Sequence, residues 1–566
     1  MDETKLMSEP RRRTRLWVGG SVALALALAV GGFLAVRAFL RPSVSAAASA
    51  MPPETSLYAG LDWLQLLDAD KLARFAAAIP APLAEADLQF DREGIQAQLD
   101  AELEQRYDFN FSDDIASWLG RTIGAGIVEF KAGEQGQLTS TAGLLAVEVR
   151  NKAGADAFLQ KVLTQIEQDT GRPAQAVAYE GTTYYQTGAG DEMIGIGRND
   201  NLFLVAVGLD AMHIALDSLH GKSLADNADF KDVVAALPTE RALTFYAGSR
   251  FFPELSALTA NQMQGLALNT VLSVDDLAAL RGAAVGVGLV EEGISLDGVS
   301  LLDPDKLPAE RAASAAVPAA GALAGLMPAD TILLINGGSW EALWRGVRQG
   351  MVAGASEADF ADAMQAFEQS LGFNPDVELF PYLTGELGLA LIPAAEGLIT
   401  QQTGLGLGAL IASGIEDPAA LAAVGDKFQT YLEQIVGLPV ITKSAVENLT
   451  LYQTNTNLFK LDLAYGVTPD YFFLGTAAAD VQALTAADGS RLPSSPLYSR
   501  AQDALQSRPA FYLDLHGLMG AFPEDQDMQR LLSNVPLMAA AGNSDDTGSQ
   551  WRLLIFLDAP EQQSRH

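Results

Sequence analysis

Cysteine is absent from all 566 residues, and histidine is nearly so, with four. Without thiols there are no disulfides, thiolate nucleophiles, thiolate metal sites or lipid-modified N-terminal cysteine. A thiol-free chain also tolerates an oxidising envelope. The histidines are His213, His220, His516 and His566. His213 and His220 lie seven apart on a predicted helix and share a face there, but two imidazoles without a third ligand make a poor metal site. No metal, cofactor or catalytic residue is assigned on these grounds.

Positive charge is scarce as well. The chain has 36 Lys and Arg against 70 Asp and Glu, a net charge of −34. Seven of those cations fall in residues 1–41, which carry +4 and leave −38 for the rest. So acidic a body repels nucleic-acid phosphate and anionic headgroups, which excludes nucleic acid as a partner. It favours solubility and cationic or basic partners.

The usual catalytic strings are missing too. There is no Gly-x-Ser-x-Gly and no Gly-x-x-x-x-Gly-Lys-Ser/Thr phosphate loop. Gly337-Gly338-Ser339 reads as a turn and helix cap. Gly404-Leu405-Gly406-Leu407-Gly408 lacks the acidic residue a dinucleotide fingerprint needs, and its flanks read as strand. Asp113-Asp114, Asp275-Asp276 and Glu291-Glu292 read as caps and turns. Asn543-Ser544-Asp545-Asp546-Thr547-Gly548 has the wrong spacing for a calcium loop and reads as a polar hairpin tip.

What is present begins with one long apolar run. Residues 16–36, Leu16 through Val36, are uncharged. At about 1.5 Å per residue, they just span a hydrocarbon core of roughly 30 Å. Arg11, Arg12, Arg13 and Arg15 precede the run, and only Arg37 and Arg41 follow closely. The bias predicts a cytoplasmic tail (1–15), a single-pass anchor in the inner membrane (16–36) and an extracytoplasmic, periplasmic bulk. The rival reading is a cleaved leader, with Ala46-Ala47-Ala48-Ser49-Ala50 as the small-residue site. The run is long for a leader, and two arginines separate it from that site. Residues 37–52 then read as a linker.

Beyond it the chain reads as one unit written twice, 53–302 and 327–559. An Ala/Pro-rich linker (303–326) separates the copies, and a tail (560–566) follows them. Met51-Pro52-Pro53-Glu54-Thr55 restarts as Met327-Pro328-Ala329-Asp330-Thr331. Asp62-Trp63 and Ser339-Trp340 each predict a capping residue opening a helix, with Trp63, Leu66 and Leu67 or Trp340, Leu343, Trp344, Val347 and Met351 as its apolar stripe. Phe109-Asn110 matches Phe373-Asn374, Trp118-Leu119 matches Tyr382-Leu383, and Gly124 matches Gly388. Glu180-Gly181-Thr182-Thr183-Tyr184-Tyr185-Gln186-Thr187 matches Glu447-Asn448-Leu449-Thr450-Leu451-Tyr452-Gln453-Thr454. The separation drifts only from 276 to 264 to 267, so order is kept throughout. In this register His213 aligns with Gln482 and His516 with Arg250, as tolerant surface positions would.

The first copy has short strand-like runs at 55–61, 122–130, 144–149, 176–179, 183–186, 193–196, 202–207, 242–246, 283–290 and 294–301. Helices are predicted at 83–106, 156–169 and 211–219, with Ser112-Asp113-Asp114 capping a short one that ends at Gly120. Strands in series with few helices between them predict an α+β fold with mainly antiparallel sheets, in tandem units behind one transmembrane helix.

The two Pro-x-x-Thr strand openings, the single N-terminal anchor and the two-copy layout resemble an uncharacterised bacterial envelope family, domain of unknown function 3352. The resemblance covers residues 51–559 and carries no assigned activity. The expected role is a non-enzymatic binding or scaffolding protein of the cell envelope, held in the membrane by Leu16–Val36 and meeting an envelope protein partner. The alternatives are a carrier of lipid or another apolar ligand, which is less favoured, and a hydrolase that uses only carboxylates.

Overall fold

A computed structural model gives the fold. It describes residues 46–62, 92–132, 138–239, 241–253, 278–307, 322–338, 340, 362, 365–366, 368–369, 372–383, 385–446, 448–454, 463–485, 489–522, 529 and 532–558. Side chains of 129–132 and 138–141 are outside the description. The apolar run 16–36, Trp63, Leu66, Leu67, Ser339, Leu343, Trp344, Asp275-Asp276 and His566 fall outside the described residues. No described helix is long and apolar enough to cross a membrane.

Among the described residues, twenty strands form one sheet and every pairing is antiparallel. The first ten are β1 (Leu57–Asp62), β2 (Leu119–Ala132), β3 (Leu138–Val149), β4 (Gln175–Tyr179), β5 (Thr182–Thr187), β6 (Ile194–Asn199), β7 (Leu202–Val207), β8 (Leu243–Gly248), β9 (Leu280–Val290) and β10 (Gly293–Leu302). The second ten are β11 (Leu333–Asn336), β12 (Leu387–Pro393), β13 (Leu407–Gly414), β14 (Ile441–Val446), β15 (Leu449–Thr454), β16 (Ala464–Val467), β17 (Tyr471–Gly475), β18 (Phe511–Asp514), β19 (Leu537–Asp545) and β20 (Gly548–Phe556).

Pairing sets the first ten side by side as β4-β5-β6-β7-β3-β2-β1-β8-β9-β10. The second ten follow the same order, β14-β15-β16-β17-β13-β12-β11-β18-β19-β20. The two sets meet at their last strands, β10 against β20. The antiparallel class expected from the sequence is what the chain adopts. The alternation of small and apolar residues in β9 and β10 suits a two-sided sheet, because successive side chains point to opposite faces.

Helices cover both faces. On the far face lie α1 (Arg92–Tyr107) and α2 (Lys152–Thr170), whose Leu99, Leu103, Phe158 and Leu159 pack on Leu61, Ile123 and Leu243. On the near face lie α3 (Ala211–His220) and α4 (Ala228–Ala236), which bury Leu216, Phe230 and Val233 against Tyr58, Tyr246 and Val299. The second set has α5 (Pro418–Val436) after β13, with α6 (Ala478–Thr485) and α7 (Pro496–Leu505) on the near face. The helices α2 and α5 start and stop alike. Asn151 and Asp417 cap their first turns, and Gly171 (φ 69°) and Gly437 (φ 74°) end them in the left-handed conformation that glycine adopts without penalty.

Several sequence expectations need correction. Residues 46–52 are not linker: Ala46–Ala50 form a 3₁₀ turn with Ala47, Ala48, Ala50 and Met51 fully buried. The ends of the 303–326 linker also belong to the fold, as a 3₁₀ turn at Pro304–Lys306 and a second at Leu323–Gly325 with Leu323 and Ala324 buried. At 47–51 and 323–324 the small and apolar residues are closely packed. Ser112-Asp113-Asp114 are not the cap of the following turn. Asn110 is, its side chain accepting from Asp113 N at 3.0 Å.

Candidate functional site

Among the described residues, the two sets of strands pair at the junction of β10 and β20. Asp297 pairs with Arg552, and Arg552 Nε donates to Asp297 Oδ1 at 2.6 Å across 255 residues of chain. The same separation relates Gly293 to Gly548, which open the two strands. Gly293 lies opposite Phe556, and Gly548 lies opposite Leu301. Asp297 and Arg552 are therefore counterparts brought face to face on a local twofold axis. One step away, Leu296 faces Leu553 and Gly298 faces Trp551. The Trp551 indole occupies the space over Gly298, where an added Cβ would come within 2.0 Å of it. Charge and size are thus complementary across the axis rather than identical.

On the near face, a cleft of about 360 Å³ lies over this junction. The ends of α4 and α7 flank it through Pro238 and Leu505, and Asp297, Arg552, Asn543 and Gln550 line it. Beside it, Arg241 is buried under the end of α4 and donates to the carbonyls of Val234, Leu237 and Pro238. Burial pulls its pKa down to about 10, and nearby Asp297 opposes that pull. Asp297 Oδ2 is buried without a hydrogen-bond partner. Through Arg552, the buried Asp297 ties β10 to β20.

The far face differs. Residues directly opposite in neighbouring strands share a face. One such row runs Phe203, Val147, Ile123, Leu61, Leu243, Val287, Leu296, Leu553, Ala540, Phe511, Ile335, Leu389, Ile411, Leu474, Tyr465, Tyr452. Sixteen strands contribute to it, and none supplies a charged residue. Its first five side chains are buried beneath α1 and α2. Toward the middle it opens: Ile335 is 48% exposed and Leu389 37%, and on the same face Phe245 is 42% and Trp551 41%. With strands about 4.8 Å apart, the stretch from Phe245 to Leu389 spans roughly 34 Å. Among the described residues, this apolar stretch is partly open to solvent.

The residues singled out from sequence are scattered. His213 stacks on Tyr179 with ring centroids 3.9 Å apart and shares a 2.9 Å hydrogen bond between its Nε2 and Tyr184 Oη. His220 Nδ1 bonds the Leu216 carbonyl, and His516 Nε2 bonds that of Ser533. Among the described residues, no group of three His, Asp or Glu side chains is placed to hold a metal. Gly337 and Gly338 form a turn with φ 130° and 83°. Gly404 ends a short helix, and β13 follows. Asp545 accepts from Thr547 N, Thr547 Oγ1 and Gly548 N at the β19–β20 hairpin tip. Asp62 ends β1, where its Oδ2 takes Arg121 Nε at 2.6 Å, and the partners expected of it as a helix cap lie outside the described residues.

No curated protein matches the sequence. Two solved structures, crystal forms I and III of TP0453, are similar to parts of it at 9% identity. They cover 45% and 47% of this chain and 78% and 82% of their own, each with a TM-score of 0.23. The family pattern described as "Protein of unknown function (DUF3352)" matches residues 17–559, so the chain belongs to that family.

Proposed function

We propose that this chain is a membrane-anchored, extracytoplasmic binding or scaffolding protein of the bacterial envelope, without a catalytic role. Residues 16–36 serve as its anchor, and 53–302 and 327–559 are tandem copies of one unit. The duplication is supported by the common strand order and by paired details such as the two Pro-x-x-Thr turns. The observation that carries the binding role is the open apolar row around Phe245, Ile335, Leu389 and Trp551. A protein partner with a complementary apolar patch is the occupant that suits it. A broad sheet face shields only one side of an acyl chain, whereas a protein surface buries the whole row. The acidic surface disfavours anionic lipid headgroups and suits a partner with a basic rim.

The test places a photo-crosslinking residue at Ile335 in the full chain, in its native membrane. One adduct of defined mass is expected, lost when Trp551→Ser is added. A crosslink that persists in Trp551→Ser, or none at all, removes the protein-partner reading. The same apolar row also favours a second reading, a carrier of apolar ligand. Native mass spectrometry of the gently extracted chain decides between them, with no stoichiometric acyl ligand expected. One acyl ligand per chain makes it a carrier.

A further inference from the structure

We infer that residues 47–51 are a built part of the folded body and are kept in the mature chain, so the alanine-rich string before Met51 is not consumed as a processing site. The string has the small side chains that such a site requires, but the fold requires them for its own reason. Ala46 is exposed, whereas Ala47, Ala48, Ala50 and Met51 are fully buried. The Ala47 methyl lies 2.6 Å from where a Cβ on Gly124 would stand, and Met51 Sδ lies 2.7 Å from the same point on Gly126. Two strand glycines and a short alanine side chain allow this close approach. Leu224 N then donates to the Met51 carbonyl at 2.7 Å, fixing the turn to the near-face layer.

The second half repeats this arrangement deep within the chain, where no leader could be cut. Leu323 lies over Gly388 as Ala47 lies over Gly124, 2.8 Å from its missing Cβ. Leu492 N donates to the Met327 carbonyl at 2.8 Å. Thr55 Oγ1 donates to the Pro52 carbonyl and Thr331 Oγ1 to that of Pro328, each at 2.7 Å. An element that the fold uses twice, once far from either end, is structural in both places. With the anchor proposed above, on which this consequence rests, residues 37–45 alone join membrane and body. Nine residues reach at most roughly 30 Å, so the body is held close to the bilayer.

The intact mass of the full chain extracted from membranes tests the inference. A chain that retains Ala47 is expected. A folded protein beginning at Ala48, Ser49, Ala50 or Met51 overturns the inference. A start between 37 and 47 agrees with it and overturns only the uncleaved anchor. A second measurement compares Ala46→Asp with Ala47→Asp in the full chain. The first should leave the thermal midpoint unchanged, and the second should lower it by several degrees or prevent folding. Equal midpoints would mean that the turn is dispensable, and the inference fails.

Discussion

At the scale of single residues, the fold turns on a few acids that composition alone hides among seventy. Asp62 is 5% exposed at the end of β1. Burial raises its pKa to about 6, against the pull of the ion pair with Arg121. The folded state therefore holds this proton more tightly than the unfolded chain does. Ionising Asp62 costs stability as pH rises from about 4 to about 6, and the loss is complete above that. Asp62→Asn removes the titration. The stability of the variant relative to the parent should improve as pH rises through that window and then level off, as thermal midpoints at pH 4, 5, 6 and 7 would record. A constant difference would mean that Asp62 keeps its ordinary pKa in the fold. From sequence, Asp62 reads as a helix cap, because its position after an apolar run says nothing of Arg121, 59 residues away.

At the scale of elements, most of the pattern was legible. The 202–207 run is β7 as it stands, and 211–219 differs from α3 by one residue. The hairpin turn at Gly181 is a left-handed pair, with Glu180 at φ 47° and Gly181 at φ 75°. These features are local, and period-two alternation or a turn residue marks them. Caps were less legible because several polar residues compete for the role. Asn110 and Asn374 were matched as repeat counterparts, and both prove to be caps, Asn374 accepting from Asp376 N and Val377 N. Each backbone N–H of the asparagine in turn donates to a carboxylate four residues on, in Asp114 and Glu378. Asn110→Ala and Asn374→Ala should each lower stability by about 1 kcal/mol. Similar losses in denaturant unfolding are expected, and a neutral result at either position would mean that water replaces that cap.

At the scale of the whole molecule, the sequence predicts a repeat but not how its two sets of strands join. The β10–β20 register sets residues 255 apart against each other, and no local pattern encodes that. The apolar row was hidden for the same reason, since each strand contributes one residue. The junction makes a sharp prediction. Arg552→Asp leaves two acids opposed on the axis, and Asp297→Arg leaves two guanidiniums. Because Asp297 is buried, each single change should cost about 3 kcal/mol. The double exchange should be more stable than the summed losses by at least about 1 kcal/mol. It should not restore the parent fully, because Arg241 stays beside position 297. Strict additivity in unfolding experiments would show that the two charges do not interact.

That junction also has a consequence in time. The strand that completes it, β20, ends at Phe556, close to the end of the chain, while β10 is finished by Leu302. At roughly 5–20 residues per second, the ribosome needs on the order of 10–50 s to supply the missing partner. Throughout that interval the first half has a bare strand edge, with Asp297 unpaired and Gly298 uncovered. An edge that must wait is an invitation to the same edge on a neighbouring nascent chain. Two copies of β10 meeting in the same register would set Asp297 against Asp297 and gain no indole to fill the gap over Gly298. An acid set against its own copy and an unfilled gap over Gly298 both disfavour that pairing relative to β20.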